Sequence, residues 1–138
     1  MMTIGQAIVD AIIGHARADH PRIACGLVAG PAGSDRPERF IPMVNAEDSS
    51  VYWQFDTGQQ LEVYRALEAR GEEPIIVYRS YPESEAYPSK MDVRFADPDV
   101  HHVFVSTRDP DNIEIRSFRI EDGQVHEEPI AIVPVFGV

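Results

Sequence analysis

The sequence predicts a mixed α/β domain, a central β-sheet carrying an N-terminal helix, a middle helix and a C-terminal β-hairpin. Three observations predict it. Apolar residues recur at helical spacing from Ile4 to Ile12 and again from Leu61 to Leu67, short β-branched runs such as Ile75 to Tyr78 stand between them, and Glu121-Asp122-Gly123 separates two alternating segments. The length of 138 residues suits one domain over residues 1–138, and 43% hydrophobic with 25% charged residues is the composition of a folded globular chain.

Each element follows from local pattern. Ile4, Ala7, Ile8, Ala11, Ile12 and His15 lie three and four apart behind Thr3, the expected cap, and the helix is expected to end near Asp19, ahead of Pro21. Ile23 to Gly30 reads as a buried strand, with Pro31 to Pro37 a mobile surface loop. Phe40 to Val44 and Val51 to Phe55 read as two further strands joined by the polar stretch Asn45 to Ser50. Thr57 and Gln60 have capping-box spacing, so a helix is expected to about Arg70, stopped by Gly71. Ile75 to Tyr78 is a strand that runs into a polar loop from Arg79 to Asp92. A short helix from about Met91 to Ala96 and the strand His101 to Ser106 follow, and Ile113 to Ile120 with Gln124 to Val133 make the hairpin. The apolar ending Val133 to Val138 is expected to pack, internally or on another chain.

Charge and cysteine content narrow the function. Twelve Lys and Arg against 23 Asp and Glu leave a net charge of −11, a field that repels nucleic acid and anionic membranes. The lone Cys25 makes no internal disulfide and no CxxC metal site, which fits a reducing compartment. No apolar run approaches the ~20 residues of a membrane helix, and the first apolar stretch lacks the flanks of a leader, so a cytoplasmic location is expected.

The most specific stretch is Val77-Tyr78-Arg79-Ser80-Tyr81-Pro82-Glu83-Ser84, followed by Ala86-Tyr87-Pro88-Ser89 and Asp92. It resembles the signature loop of the JAMM/MPN metalloprotease family, which in bacterial members runs roughly His-Ser-His-Pro-x-Ser-x-Ala-x-Pro-Ser-x-x-Asp. Upstream, Pro21 to Gly30 resembles the family's first strand, usually Pro-x-Glu-x-Cys-Gly. The likeness extends from the first helix to the C-terminal strands and implies an MPN-type α/β fold. In active members it implies a zinc ion held by the two histidines and the aspartate with water as fourth ligand. The strand glutamate then serves as general base, and the serine helps stabilise the oxyanion.

This chain departs from that pattern at the reactive positions. Ile23 stands where the resemblance places the glutamate, Arg79 where it places the first histidine and Tyr81 where it places the second, while Ser89 and Asp92 are kept. One carboxylate does not hold zinc, so neither metal nor other cofactor is expected. Glutamate, aspartate and Zn²⁺ sum to about zero charge, and so do Arg79 and Asp92. The Arg79 guanidinium is therefore expected in the metal's place, paired with Asp92, with Tyr81 at the second ligand position bonding Asp92 or Ser89. Ser89 and Asp92 also have the spacing of a cap that opens the short helix.

Other polar residues read more plainly. The adjacent His101 and His102 point to opposite faces of a strand, so at most one serves any given site, and His15 and His20 are not a helical i, i+4 pair. Cys25 reads as a core residue rather than a nucleophile. Trp53 and Phe55, with Tyr52, read as a strand packed on the core, an exposed aromatic there being the alternative contact for a partner, and Glu72-Glu73 and Glu127-Glu128 read as solvated faces.

Active bacterial members of the family cleave after the C-terminal Gly-Gly of ubiquitin-like sulfur-carrier proteins, and the resemblance implies a groove that takes such a tail as an added strand. The leading expectation is a catalytically inactive homologue. It would bind a ubiquitin-like or sulfur-carrier tail, or scaffold an active MPN-family partner, in a biosynthetic sulfur-transfer pathway, with a homodimer left open. A second reading is a repurposed metal-free enzyme using Arg79, Tyr81, Ser89 and Asp92, with Glu83 and Glu85 adding acidity. A third is an isopeptidase with an unusual metal arrangement, weakened by the missing base at Ile23. Space discriminates the first two, because an enzyme needs an open cavity of a few hundred cubic ångströms beside Arg79.

Overall fold

Residues 1–134 are described by the computed structural model. The elements run β1 (Met2–Gly5), α1 (Gln6–Asp19), β2 (Cys25–Pro31), β3 (Arg39–Met43), α2 (Thr57–Ala69), β4 (Glu72–Tyr81), α3 (Lys90–Phe95), β5 (His101–Ser106), β6 (Glu114–Glu121), β7 (Gln124–Glu128) and β8 (Ile130–Val133). Six strands form one mixed sheet in the order β3-β2-β4-β5-β6-β7, parallel only between β4 and β5, and β1 pairs with β8 in a separate parallel ribbon.

Strand alternation divides the core in two. Ile76 and Tyr78 of β4 and Val103 and Val105 of β5 point to one face, where Val9, Ile12 and Ala16 of α1 cover them with Met2 and Ile4 of β1. Tyr81 and Phe104 point to the other face and pack with Ile23, Phe118 and Ile120, while Cys25, Leu27, Met43 and Phe55 form a neighbouring cluster against Val63 of α2. Each fully buried Val, Leu, Ile, Phe or Met side chain among them contributes roughly 1.5–3 kcal/mol. Tyr78 crosses β2 at its partner Gly26, where any side chain would collide with the phenol ring. Its hydroxyl then reaches His15 Nδ1 at 2.6 Å, and its ring stacks on Phe40.

Several local expectations are corrected. Thr3 is not a cap: residues 2–5 pair with β8, and α1 starts behind Gly5 with no side-chain cap. The Val51 to Phe55 strand does not form. Only Phe55 bridges to Asn45, and the Asn45 side chain takes the place of a ladder, donating to Tyr52 O at 3.1 Å and accepting from Gln54 N at 3.2 Å. The cap of α2 is Asp56, which accepts from Gln59 N at 2.9 Å, one residue ahead of Thr57. Arg79 to Tyr81 lie in β4 rather than in a loop, because β5 pairs with that strand out to Ser106 and Ser80 bonds Ala24, the residue just ahead of β2. The long last strand breaks at Pro129, and its second half crosses to β1.

The Asp122-Gly123 turn is present, with φ of 51° and 76°, the left-handed pair that a two-residue hairpin turn requires. Gly71, at φ 68°, stops α2. Glu128 is not a solvated face but is largely buried, and Glu72 is held by Arg39 at 2.9 Å. The expected packing of the chain end lies, from residue 135 onward, outside the described residues.

Candidate functional site

β4 delivers Arg79 and Tyr81 to the face away from α1, and α3 returns Asp92 above them. Proline at 88 and the Ser89 cap fix that return. Ser89 Oγ accepts from Asp92 N at 3.1 Å while Asp92 Oδ2 accepts from Ser89 N at 2.8 Å, a reciprocal capping box. The cap reading and the site reading thus apply to the same two residues.

Asp92 is saturated with donors. Its Oδ1 accepts from Arg79 Nε at 3.3 Å and from Trp53 Nε1 at 3.2 Å, and its Oδ2 accepts from the Tyr81 hydroxyl and from the backbone and hydroxyl of Ser89. Arg79 is as fully used. Its Nη1 donates to Val77 O at 3.1 Å, Nη1 and Nη2 both lie 3.1 Å from His102 Nδ1, and its guanidinium carbon sits 3.9 Å from the Phe104 ring centroid and 5.2 Å from that of Trp53.

The protonation states follow from these partners. Arginine has only donors, so His102 Nδ1 accepts, and Nε2–H donates to Asp97 O at 2.8 Å. Burial first, and the Arg79 charge second, push the His102 pKa down to about 4, so the ring is neutral. Burial alone would raise the Asp92 carboxyl, but the Arg79 charge and the bonds from Tyr81 and Ser89 outweigh it and hold the pKa below the usual carboxylate range. Burial, then the Asp92 charge, raise the Tyr81 phenol, which stays a neutral donor. Burial draws the Arg79 guanidinium down from its ordinary value, against the pull of Asp92, and it remains a cation, as arginine does in proteins. The site is therefore one buried ion pair inside a neutral hydrogen-bonded shell.

Above this floor opens a cleft of about 800 Å³. Its walls include Tyr52, Tyr64, Met91 and Phe95, all exposed apolar side chains, from the Asn45–Phe55 segment, α2 and α3. The Arg79 head group lies beneath the floor, since both it and the Asp92 side chain are 1% exposed.

The remaining candidates fall elsewhere. Ile23 is buried in the apolar cluster with Tyr81. Glu83 and Glu85 are exposed and do not line the cleft; Glu85 faces Arg116 instead. Cys25 is fully buried, and burial, then Asp19, push its thiol up to about 12, which removes it as a nucleophile. His20 bonds Thr107, and His101 faces away from the cleft to Asp35 and Glu128. Two members of the shell, His102 and Trp53, are named in the sequence reading without being assigned to this site. The signal for His102 is the pairing of Val77 with His102 and of Arg79 with Phe104, a register that no local pattern reveals.

A mixed sheet with one helix packed on one face, and on the other a strand-to-helix loop carrying this constellation, defines a domain of the JAB/MPN class. The prokaryotic homologs of the JAB domain match over residues 5–121, and the chain belongs to that family. It is 53% identical over 134 residues to the CysO-cysteine peptidase of Mycobacterium tuberculosis, spanning 96% of this chain and 92% of that protein. It is 31% identical over 88 residues to the desampylase of Haloferax volcanii, spanning 60% of this chain and 63% of that one. A solved structure from Desulfitobacterium hafniense superposes with a TM-score of 0.86 at 28% identity, covering 99% of this chain and 96% of that chain. A JAB1/MPN domain protein from Archaeoglobus fulgidus shares the fold, at TM-score 0.59 and 16% identity, covering 96% and 99%.

The family implies zinc, and the residues present do not fit it. A guanidinium has no lone pair to offer, Tyr81 is a neutral donor, the free nitrogen of His102 is taken by Arg79, and both oxygens of Asp92 are occupied. Among the described residues no group of three His, Cys, Asp or Glu is placed to hold a metal. Nor, among them, is any helix long and apolar enough to cross a membrane.

Proposed function

We propose that this chain binds the C-terminal tail of a ubiquitin-like sulfur-carrier protein in the cleft without cleaving it through zinc. The observation that carries this reading is the Arg79–Asp92 pair, sealed beneath an open apolar cleft at the positions the family gives to metal ligands. A permanent cation supplies the charge that keeps Asp92 ionised and the α3 loop in place, so the groove keeps its shape with no metal. The similarity to a CysO-cysteine peptidase and a desampylase supports a tail-bearing small protein as the partner. A cytoplasmic setting and a role beside an active family member are part of the same reading.

The cleft is large enough for an enzyme. A metal-free reaction at Arg79 and Asp92 is disfavoured because both are buried and their hydrogen-bonding groups are already engaged. The test is calorimetric titration with a sulfur-carrier protein ending in Gly-Gly, beside a version lacking its last residues. Saturable binding that disappears with the tail, and an intact partner after prolonged incubation, are expected. Equal binding of the tail-less version, or cleavage of a C-terminal adduct, would overturn the reading.

A further inference from the structure

A second, partly buried ionic cluster lies on the opposite face of the sheet. His101 opens β5 and is covered by the loop between β2 and β3. Its Nε2 lies 2.7 Å from Asp35 Oδ1 in that loop, and its Nδ1 lies 2.7 Å from Glu128 Oε2 on β7. Ionised carboxylates only accept hydrogen bonds, so both contacts are bonds only if both ring nitrogens carry protons. The geometry therefore calls for an imidazolium. Loss of one proton sets two lone pairs against each other at one of the two contacts.

The two carboxylates are not equally free to leave. Glu128 is 9% exposed, accepts from Ser117 Oγ at 2.9 Å, and faces the Met1 ammonium at 3.8 Å and the charge of Arg119 on β6. Asp35 is 62% exposed and sits on a loop, so water replaces its partner at little cost. The groups facing His101 are thus Asp35 and Glu128, with the Met1 ammonium and Arg119 acting on it through Glu128. The loop itself lies tightly on β2: any side chain at Gly30 would collide with the Arg36 carbonyl, and Glu38 N bonds Ala29 O at 2.8 Å.

We propose that Asp35, His101 and Glu128 form a proton-controlled latch that holds the 32–38 loop against the sheet and lets go of Asp35 when His101 becomes neutral. Burial opposes the charge on His101, but the bonds to Glu128 and Asp35 outweigh it and raise its pKa above the ordinary value. The latch is therefore closed at and below pH ~6.5 and opens as pH rises through the elevated folded value.

Nitrogen-detected NMR of the histidine rings, with amide hydrogen exchange of Gly33, Asp35 and Glu38, tests this on the full chain. Both ring nitrogens of His101 should be protonated at pH 6, with a midpoint above ~6.5. Protection of the loop amides, corrected for intrinsic exchange, should fall several-fold through that same midpoint. Asp35→Asn, a change at an exposed position, should lower the midpoint by roughly half a unit or more and abolish the coupled loss of protection. His101→Gln should give a loop whose protection no longer depends on pH. A ring with one proton at pH 6, or loop protection unchanged across the His101 midpoint, would overturn the proposal.

Discussion

Arg79 and Asp92 meet at 3.3 Å, Nε to Oδ1, with both side chains 1% exposed. Thirteen residues apart, one on a central strand and the other on the helix after it, they tie the loop between them to the sheet. A buried ion pair of this kind adds little net stability over an apolar pair of equal volume, yet removing one partner strands the other charge in a dry site.

That asymmetry gives the first prediction. Arg79→Met and Asp92→Leu should each lower unfolding free energy by about 3–5 kcal/mol. The double variant Arg79→Met, Asp92→Leu should recover much of the loss. Urea denaturation of the two Arg79 and Asp92 variants and the double variant measures it, and additive single effects would show that the two side chains do not act as a pair.

Stability should depend on pH through His102. Its folded pKa is about 4, against ~6.5 unfolded, so the unfolded chain binds more protons between these values and stability falls as pH drops across that window. The full loss is about 3 kcal/mol. Asp92 adds a separate loss below about pH 4, since a depressed carboxyl stabilises above its unfolded pKa and ceases to do so as pH falls through its folded one. Thermal melts of the parent and of His102→Gln should part between pH 6.5 and 4, with the variant showing the flatter curve.

Binding should depend on the cleft walls. Tyr52 and Phe95 are 63% and 69% exposed, so Tyr52→Asp and Phe95→Asp should change stability by no more than about 0.5 kcal/mol. Each should weaken tail binding by about tenfold or more, a 1.4 kcal/mol effect, in the calorimetric titration. Unaltered affinity in both variants would move the tail off this cleft.

Gly26→Ala should be strongly destabilising for so small a change. The added methyl group meets the Tyr78 ring, which is pinned by His15 and Phe40, and overpacking of this kind costs about 1–3 kcal/mol. Chemical denaturation of the single variant checks it.

Part of this architecture was open to reading in the sequence because it rests on local spacing. The Ser89 cap and the Asp122-Gly123 turn follow from residue types a few positions apart, and the pairing of Arg79 with Asp92, thirteen residues apart, from the resemblance of their loop to the family's signature. Trp53 and His102 did not, because their place at the site depends on which strands pair and where the Asn45–Phe55 segment runs. The Val51 to Phe55 strand failed for a related reason: its β-branched and aromatic content suits a strand, but an asparagine side chain satisfies the backbone that a neighbouring strand would have paired. Thr3 misled because its strand partner, β8, comes more than a hundred residues later.

Restoring the family residues tests how far the scaffold has otherwise been kept. The triple variant Ile23→Glu, Arg79→His, Tyr81→His should take up about one zinc per chain, as a four-coordinate site does. Its cobalt derivative should show the visible absorption of a tetrahedral centre. Failure in a folded triple variant would mean that the loop geometry, and not only the ligands, has changed.

The most direct measurement is zinc content of the unaltered, untagged protein, purified without chelators, incubated with zinc and read by mass spectrometry. Less than about a tenth of an ion per chain is expected, because the Arg79 cation already holds Asp92. About one zinc per chain, lost in Asp92→Asn, would contradict the account and make metal-dependent hydrolysis the leading function.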